Sequence, residues 1–171
     1  MRTTTLILVL SSMLLSAAIF GFFYAWVCST MWGQDTADPR IAIQAMQAMN
    51  ASVRNGVFAP AFFGTPVVLA ITALLLWVQH AQRCAALFAL SGAVYFCFGL
   101  VLTMLVNVPM NEALATIQAP QDIEAARQVW QDYSPKWQFW NQARTVASGI
   151  SFLIATIGVL NFPMQARART T

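Results

Sequence analysis

The stretch LILVLSSMLLSAAIFGFFYAWV, residues 6–27, decides how the chain folds. It carries no charge and exceeds the roughly 20 helical residues that cross about 30 Å of hydrocarbon. Arg2 ahead of the apolar run, and Ser16-Ala17-Ala18 inside it, resemble the start and cleavage site of a secretory signal. Yet the run continues through Ile19-Phe20-Gly21-Phe22-Phe23-Tyr24-Ala25-Trp26-Val27, which is too long and aromatic for the flank of a cleavage site. The segment is therefore expected to be a retained membrane span.

Working outward, Ala61–Val78, Ala85–Val106 and Ala143–Leu160 are further spans, the first and last of these near the minimum length. None alternates as barrel strands do, so helices must satisfy the backbone in lipid. The whole composition agrees: 58% of the 171 residues are hydrophobic, only 9% are charged, and mean hydropathy is +0.62. A soluble domain carries about 25% charged residues. Nine basic and six acidic side chains cannot clothe a soluble globule of this length, and twelve Phe with six Trp exclude a disordered chain, a collagen or a coiled coil. The expected fold is an all-α membrane protein: a four-transmembrane-helix bundle forming one domain over residues 1–171. The lipid bilayer is its main solvent.

With four spans, both termini and the turn Gln79–Arg83 share one side, which carries Arg2, Arg83, Arg167 and Arg169 and no acid. The other side holds Asp35, Asp38, Glu112, Asp122, Glu124 and Asp132 with Arg40, Arg54, Arg127, Lys136 and Arg144. The positive-inside rule then makes both termini cytoplasmic, through density and the lack of acids rather than through basic totals. In a bacterium this is the inner membrane. Trp26 and Trp32 outside, and Trp77 inside, are expected in aromatic belts. The net charge of +3 is thus a topology signal and implies no nucleic-acid partner. Cys28, Cys84 and Cys97 fall at different depths, so no disulfide is expected.

Each outer loop should contain short amphipathic helices. Asp38 as N-cap with Pro39 at the first position starts one. From there to Gly56, Ile41, Ala45, Ala48, Met49 and Val53 form one face and Gln44, Gln47, Asn50 and Arg54 another, as in a helix that caps a bundle or lies on lipid. In the second loop, Ala113, Leu114 and Ile117 form a short apolar turn, and Pro120 opens a helical stretch Gln121–Tyr133. Ser134-Pro135 repeats the cap-plus-proline signal and is expected to start the last helix about two to three turns before the hydrocarbon.

On that helix Trp137, Asn141, Arg144, Ser148 and Ser151 recur at spacings of four, three, four and three, so they share one stripe. Arg144 at the membrane boundary is either buried against a partner or snorkels to the headgroups. Asn107 and Asn111 fit helix caps as well as pocket walls. Glu112 fits a first-turn acid or a partner of Arg144. Asn50 and Asn55 fit a solvated face or a pocket wall, and Tyr24 fits an interfacial aromatic. His80, the only histidine, lies in the turn on the opposite side, which excludes a histidine triad or a His/Cys metal site at the polar cluster. No phosphate-binding glycine loop or dinucleotide fingerprint occurs.

The segment Asn107-Val108-Pro109-Met110-Asn111 with Leu114, then Trp130, then Trp137-Gln138-Phe139-Trp140-Asn141-Gln142-Ala143-Arg144-Thr145, resembles the domain of unknown function 1772 family, the anthrone oxygenase-like membrane proteins. Gln47, Asn50, Asn55 and Phe58 add to the likeness, which spans nearly the whole chain; Met110 replaces a leucine usual in the family. The resemblance implies a pocket under the outer loops made by Asn107, Asn111, Trp137, Trp140, Asn141 and Arg144, with Asn50, Asn55 and Tyr24 as further candidates for contact with the ligand. It implies a hydrophobic aromatic small molecule as partner and an oxygenase-like reaction without a cofactor or metal. Arg144 with the amides of Asn107, Asn111 and Asn141 would act as an oxyanion hole for an enolate, the tryptophans would stack on its rings, and Glu112, then Asp132, are the candidate bases. The competing reading is a non-enzymatic membrane module in which the same cluster only stabilises the outer loops. A transporter has little support without a broken span or a mid-membrane charge, and would need a homo-oligomer.

Overall fold

The computed structural model describes residues 3–162. Arg2, Arg167 and Arg169, which contribute to the expected orientation, lie outside them. Helix α1 runs Thr3–Thr36, α2 Pro39–Ser52, α3 Phe58–Val78, α4 Gln82–Ala115 and α5 Ile123–Leu160, and there is no strand among the described residues. Four of these, α1, α3, α4 and α5, are long and apolar enough to cross a membrane. Side chains such as Leu10, Leu14, Leu74 and Leu153 point outward from them, as expected of a multi-pass membrane protein whose surface is solvated by lipid.

Short links make sequence neighbours antiparallel neighbours. α1 packs on α3, α3 on α4, α4 on α5, and α5 closes the ring against α1, giving an up-and-down bundle. The turn 79–81 lies at one end, where Gln79 Nε2 donates to Thr5 Oγ1 at 2.9 Å. The longer connections lie at the other, the loop end, where α2 lies across α5 and the end of α4. Lipid offers no hydrophobic drive to pair helices, so small and polar residues make the contacts. Ser12 and Thr72 hydroxyls join α1 to α3 at 2.9 Å, and Ser91 and Ser151 join α4 to α5, each hydroxyl 2.8 Å from the other residue's carbonyl, to which it can donate its single proton.

Local chemistry sets the helix starts. The Asp38 carboxylate accepts from the Arg40 amide at 2.9 Å and pairs with its guanidinium at 2.6 Å, which holds the carboxyl down at about 2. Asp122 caps α5 through the Ala125 amide at 2.8 Å. Asn55 Oδ1 accepts from the Val57 and Phe58 amides at 2.8 and 2.9 Å and so starts α3.

Several expectations are corrected. The last helix does not restart at Ser134-Pro135: α5 is continuous for 38 residues with Pro135 inside it. The Ser134 hydroxyl donates to Asp35 instead of capping, and one proline removes only the amide that would bond the Gln131 carbonyl. The first and third spans likewise run past Val27 to Thr36 and past Val106 to Ala115. The buried face of α2 is Ala42, Ile43 and Met46, with Ile41 exposed, because the helix packs against α5 and is not set by its own most apolar stripe. Trp26 does not join a belt; it is buried against Trp137, with ring centroids 5.1 Å apart.

α4 widens into π-helical turns at Tyr95–Val101 and Thr103–Asn107. Pro109 follows the second: it has no amide for the Leu105 carbonyl and its ring would crowd that carbonyl in a regular helix, so the wider turn makes room. In α3, Pro66 similarly denies the Phe62 carbonyl its amide, and the Tyr95 hydroxyl donates to it at 2.9 Å. The Tyr95 ring lies over Gly99, where a Cβ would come within 2.6 Å of it.

Candidate functional site

α3 and α4 are closely packed over Gln82–Val94, touch less over Tyr95–Val101 and part beyond it toward the loop end. The wedge between them, roofed by α2, is a cavity of about 570 Å³. Small-molecule sites fall in this range, roughly 300–1,000 Å³. Its apolar wall is aromatic, with Phe22, Phe23 and Trp26 from α1 and Phe58, Phe62 and Phe63 from α3. Its polar groups are Asn50 of α2, Thr103, Asn111 and Glu112 of α4, and Arg144 of α5, with Arg54 and Asn55 at the loop before α3.

Arg144 is 5% exposed, and among the described residues no carboxylate pairs with it. Its Nε and Nη2 donate to Asn141 Oδ1 at 3.0 and 2.8 Å, and Nη1 donates to Thr103 Oγ1 at 3.3 Å. The guanidinium carbon sits 4.4 Å from the Phe23 ring centroid and 5.1 Å from that of Trp137. Aromatic faces attract a cation, but they do not neutralise it. Asn141 holds this posture from beneath, its Nδ2 donating to the Phe23 carbonyl at 3.3 Å. The whole stripe from Trp137 to Ser151 is buried, as its spacing requires.

Asn111 is not a cap. Its Oδ1 accepts from the Tyr133 hydroxyl and the Trp137 indole, both at 2.8 Å, which leaves its N–H donors for the cavity. Asn107 is not a cap either, since α4 continues through it; it is fully buried with neither side-chain polar atom hydrogen-bonded. The Asn50 amide nitrogen faces the Tyr133 phenol but is buried without a hydrogen bond of good geometry. Glu112 does not reach Arg144. It pairs with Arg54 at 3.3 Å on the exposed rim, because the rotation of α4 by one residue turns it away from the Asn111 side.

Six of the sequence candidates therefore share this cavity wall: Arg144, Asn111, Glu112, Trp137, Asn50 and Asn55. Asn141 and Asn107 lie behind it. Tyr24 is exposed beside Phe20, and Trp140 packs edge-on against Phe139, so neither borders it. Among the described residues no three His, Cys, Asp or Glu side chains gather as a metal site. Sequence reasoning missed the aromatic wall, since Phe22, Phe23 and Phe62 read like any lipid-facing phenylalanines. It also missed Asp35, whose carboxylate accepts from Trp130 Nε1 at 2.9 Å, Ser134 Oγ at 2.7 Å and Gln138 Nε2 at 2.8 Å, fastening the end of α1 to α5.

The family model described as anthrone oxygenase matches residues 56–154. The chain belongs to the anthrone oxygenase family. No curated protein and no solved structure matches it. The stretch matched by the anthrone oxygenase model takes in α3, α4 and most of α5, and so carries Thr103, Asn111, Trp137 and Arg144 around the cavity.

Proposed function

We propose that this cavity binds a flat aromatic ketone and promotes its oxidation by molecular oxygen, as the anthrone oxygenase family name suggests. The observation that carries the reading is Arg144: a buried cation without a carboxylate, open to an aromatic-walled cavity. A buried unpaired charge is costly, and a ligand oxygen that gains negative charge would offset that cost. The aromatic rings would sit among Phe22, Phe62 and Trp137, with the carbonyl oxygen at Arg144 and the Asn111 amide.

An anthrone loses a proton from the carbon opposite its carbonyl, and the electrons move onto that oxygen as an enolate. Arg144 favours this ionisation by stabilising the oxyanion, while Glu112 at the rim is the carboxylate placed to pass the proton to water. The enolate gives electrons to oxygen, a carbon–oxygen bond forms at the deprotonated carbon, and loss of water from the resulting hydroperoxide leaves the quinone. One anthrone and one oxygen molecule thus become one anthraquinone and one water. We place the loop end on the non-cytoplasmic side, following the distribution of acidic and basic residues.

Oxygen uptake by the purified protein with a panel of anthrones and hydroquinones tests this. Arg144→Ala should lower kcat/KM by about 10²–10³-fold, as for removal of an oxyanion donor. Uptake no faster than the uncatalysed background across the panel would overturn the reading. The alternative, a purely structural lock, draws on the internal hydrogen bonds of Asn111 and Asn141. It requires Arg144 with Asn141 to be stabilising, which the thermal midpoint of the Arg144→Met, Asn141→Leu double variant separates.

A further inference from the structure

We infer that the ligand enters this cavity sideways from the bilayer, through a window between α3 and α4 flanked by Phe63 and Met104, and is therefore a lipid-dissolved aromatic molecule. The inference rests on the cavity being the aromatic site proposed above, and adds to it where the ligand comes from and which residues control its passage.

Phe63 and Met104 both line the cavity, yet they are 51% and 43% exposed on the outer surface of the bundle. Each is thus an edge shared by the cavity and the surroundings. Those surroundings are lipid: Phe63 lies in the charge-free run 58–78 and Met104 in the charge-free run 84–111. The two helices meet tightly below this level, where Gly92 lets α4 approach Leu69 so closely that an added Cβ would lie 3.4 Å from the leucine's own. They have parted by the level of Thr103. No third helix covers the gap, because the ring of four leaves α3 and α4 as each other's only neighbours on that side.

The alternative way in is less suited to a neutral flat molecule. The rim facing the loops is spanned by the Arg54–Glu112 ion pair and roofed by Met49 and Val53 of α2. A molecule crossing there would displace hydrated charges, whereas one crossing between Phe63 and Met104 leaves hydrocarbon for an aromatic wall. The order of groups along the sideways path also fits. Apolar edges come first, and the polar atoms of Thr103 and Arg144 lie deeper, so the carbonyl end of the ligand would lead. Met104 has an unbranched side chain that can swing aside at little cost.

A residue at an entrance changes how fast a ligand comes and goes and leaves the equilibrium alone; a residue that contacts the bound ligand changes the affinity. The test uses the full chain in phospholipid vesicles, with Trp32, Trp77 and Trp140, none of which borders the cavity, replaced by phenylalanine. The ligand is anthraquinone, which binds without turnover, read in stopped flow by quenching of the remaining tryptophan fluorescence, to which Trp26 and Trp137 at the cavity contribute. Met104→Phe, which narrows the window, should slow association and dissociation together by about tenfold with Kd within about twofold, and Met104→Ala should slow neither. Unchanged rates in both variants overturn the window while leaving the aromatic site standing. So does a change in Kd with an unchanged association rate, or faster entry in Arg54→Ala, which would put the entrance at the rim. Absence of any quenching in the unaltered protein would instead remove the aromatic site, and the window with it.

Discussion

Arg144 concentrates the balance between stability and function in one side chain. Its hydrogen bonds go to neutral partners, Asn141 and Thr103, and its neighbouring rings supply only quadrupoles. Replacing a buried charged group together with its hydrogen-bond partner by apolar residues of similar volume is often neutral or stabilising by about 1–4 kcal/mol, whereas removing one of the two leaves the other unsatisfied. Arg144→Met combined with Asn141→Leu, which leaves no orphaned Asn141 oxygen behind, should therefore keep or raise the thermal midpoint in detergent while reducing oxygen uptake to background. A clear fall in the midpoint would favour the structural lock. The position of Arg144 was legible in the sequence because spacings of four and three fix one helix face. Its partners were not, because Phe23 and Thr103 sit in apolar runs with no period to mark which way they point. Glu112 misled for the opposite reason: adjacency to Asn111 in sequence looks like proximity, yet one step along a helix rotates the side chain away.

At the scale of the element, α4 departs most from a regular helix, and its second π turn carries Thr103 and Met104 of the cavity wall. Gly99→Ala would push a methyl group into the Tyr95 ring and pull its hydroxyl from the Phe62 carbonyl that Pro66 leaves without an amide. Leaving such a buried acceptor unsatisfied costs about 1–3 kcal/mol, so the variant should melt earlier, and Tyr95→Phe should reproduce much of that loss without the clash. The cap of α2 gives a pH signature. The Asp38 carboxyl is held at about 2 by its hydrogen bonds to Arg40, below an unfolded value of about 3.9. Its contribution is complete above the unfolded value and is lost as pH falls through the folded one, so hydrogen exchange at the start of α2 should rise between those two pH values and not above them. The start of α5 was expected at Gln121, one residue before its capping Asp122, and helix existence and the cap at Asp38 could be read from local chemistry. The continuity of α5 could not, because whether Ser134 caps a new helix or bonds Asp35 depends on a residue 99 positions away.

For the whole molecule, the four spans were legible because lipid imposes one rule on every crossing segment, and the up-and-down order followed from the short links. Which helices would part was not legible. The first three spans are apolar around their circumference, so no stripe on them marks a core, and the fold depends on glycine, serine and threonine contacts spread along the chain. The sidedness that follows from the charge distribution predicts that a cysteine introduced at Gln118, in the exposed link before α5, reacts with a membrane-impermeant maleimide added outside intact cells. One introduced at His80 should react only after permeabilisation. Labelling in the reverse order would invert the topology and put the cavity mouth on the cytoplasmic side.

The unbroken length of α5 has a mechanical consequence. At 1.5 Å per residue its 38 residues extend about 57 Å, more than the 40–45 Å of a bilayer with its headgroups. The helix is thus a mast with its lower part stepped in lipid and its upper part standing clear, where Asp35 stays it through Trp130, Ser134 and Gln138. Arg144 rides on the same continuous helix, so the element that carries the guanidinium into the cavity is the one that Asp35 fastens outside the hydrocarbon.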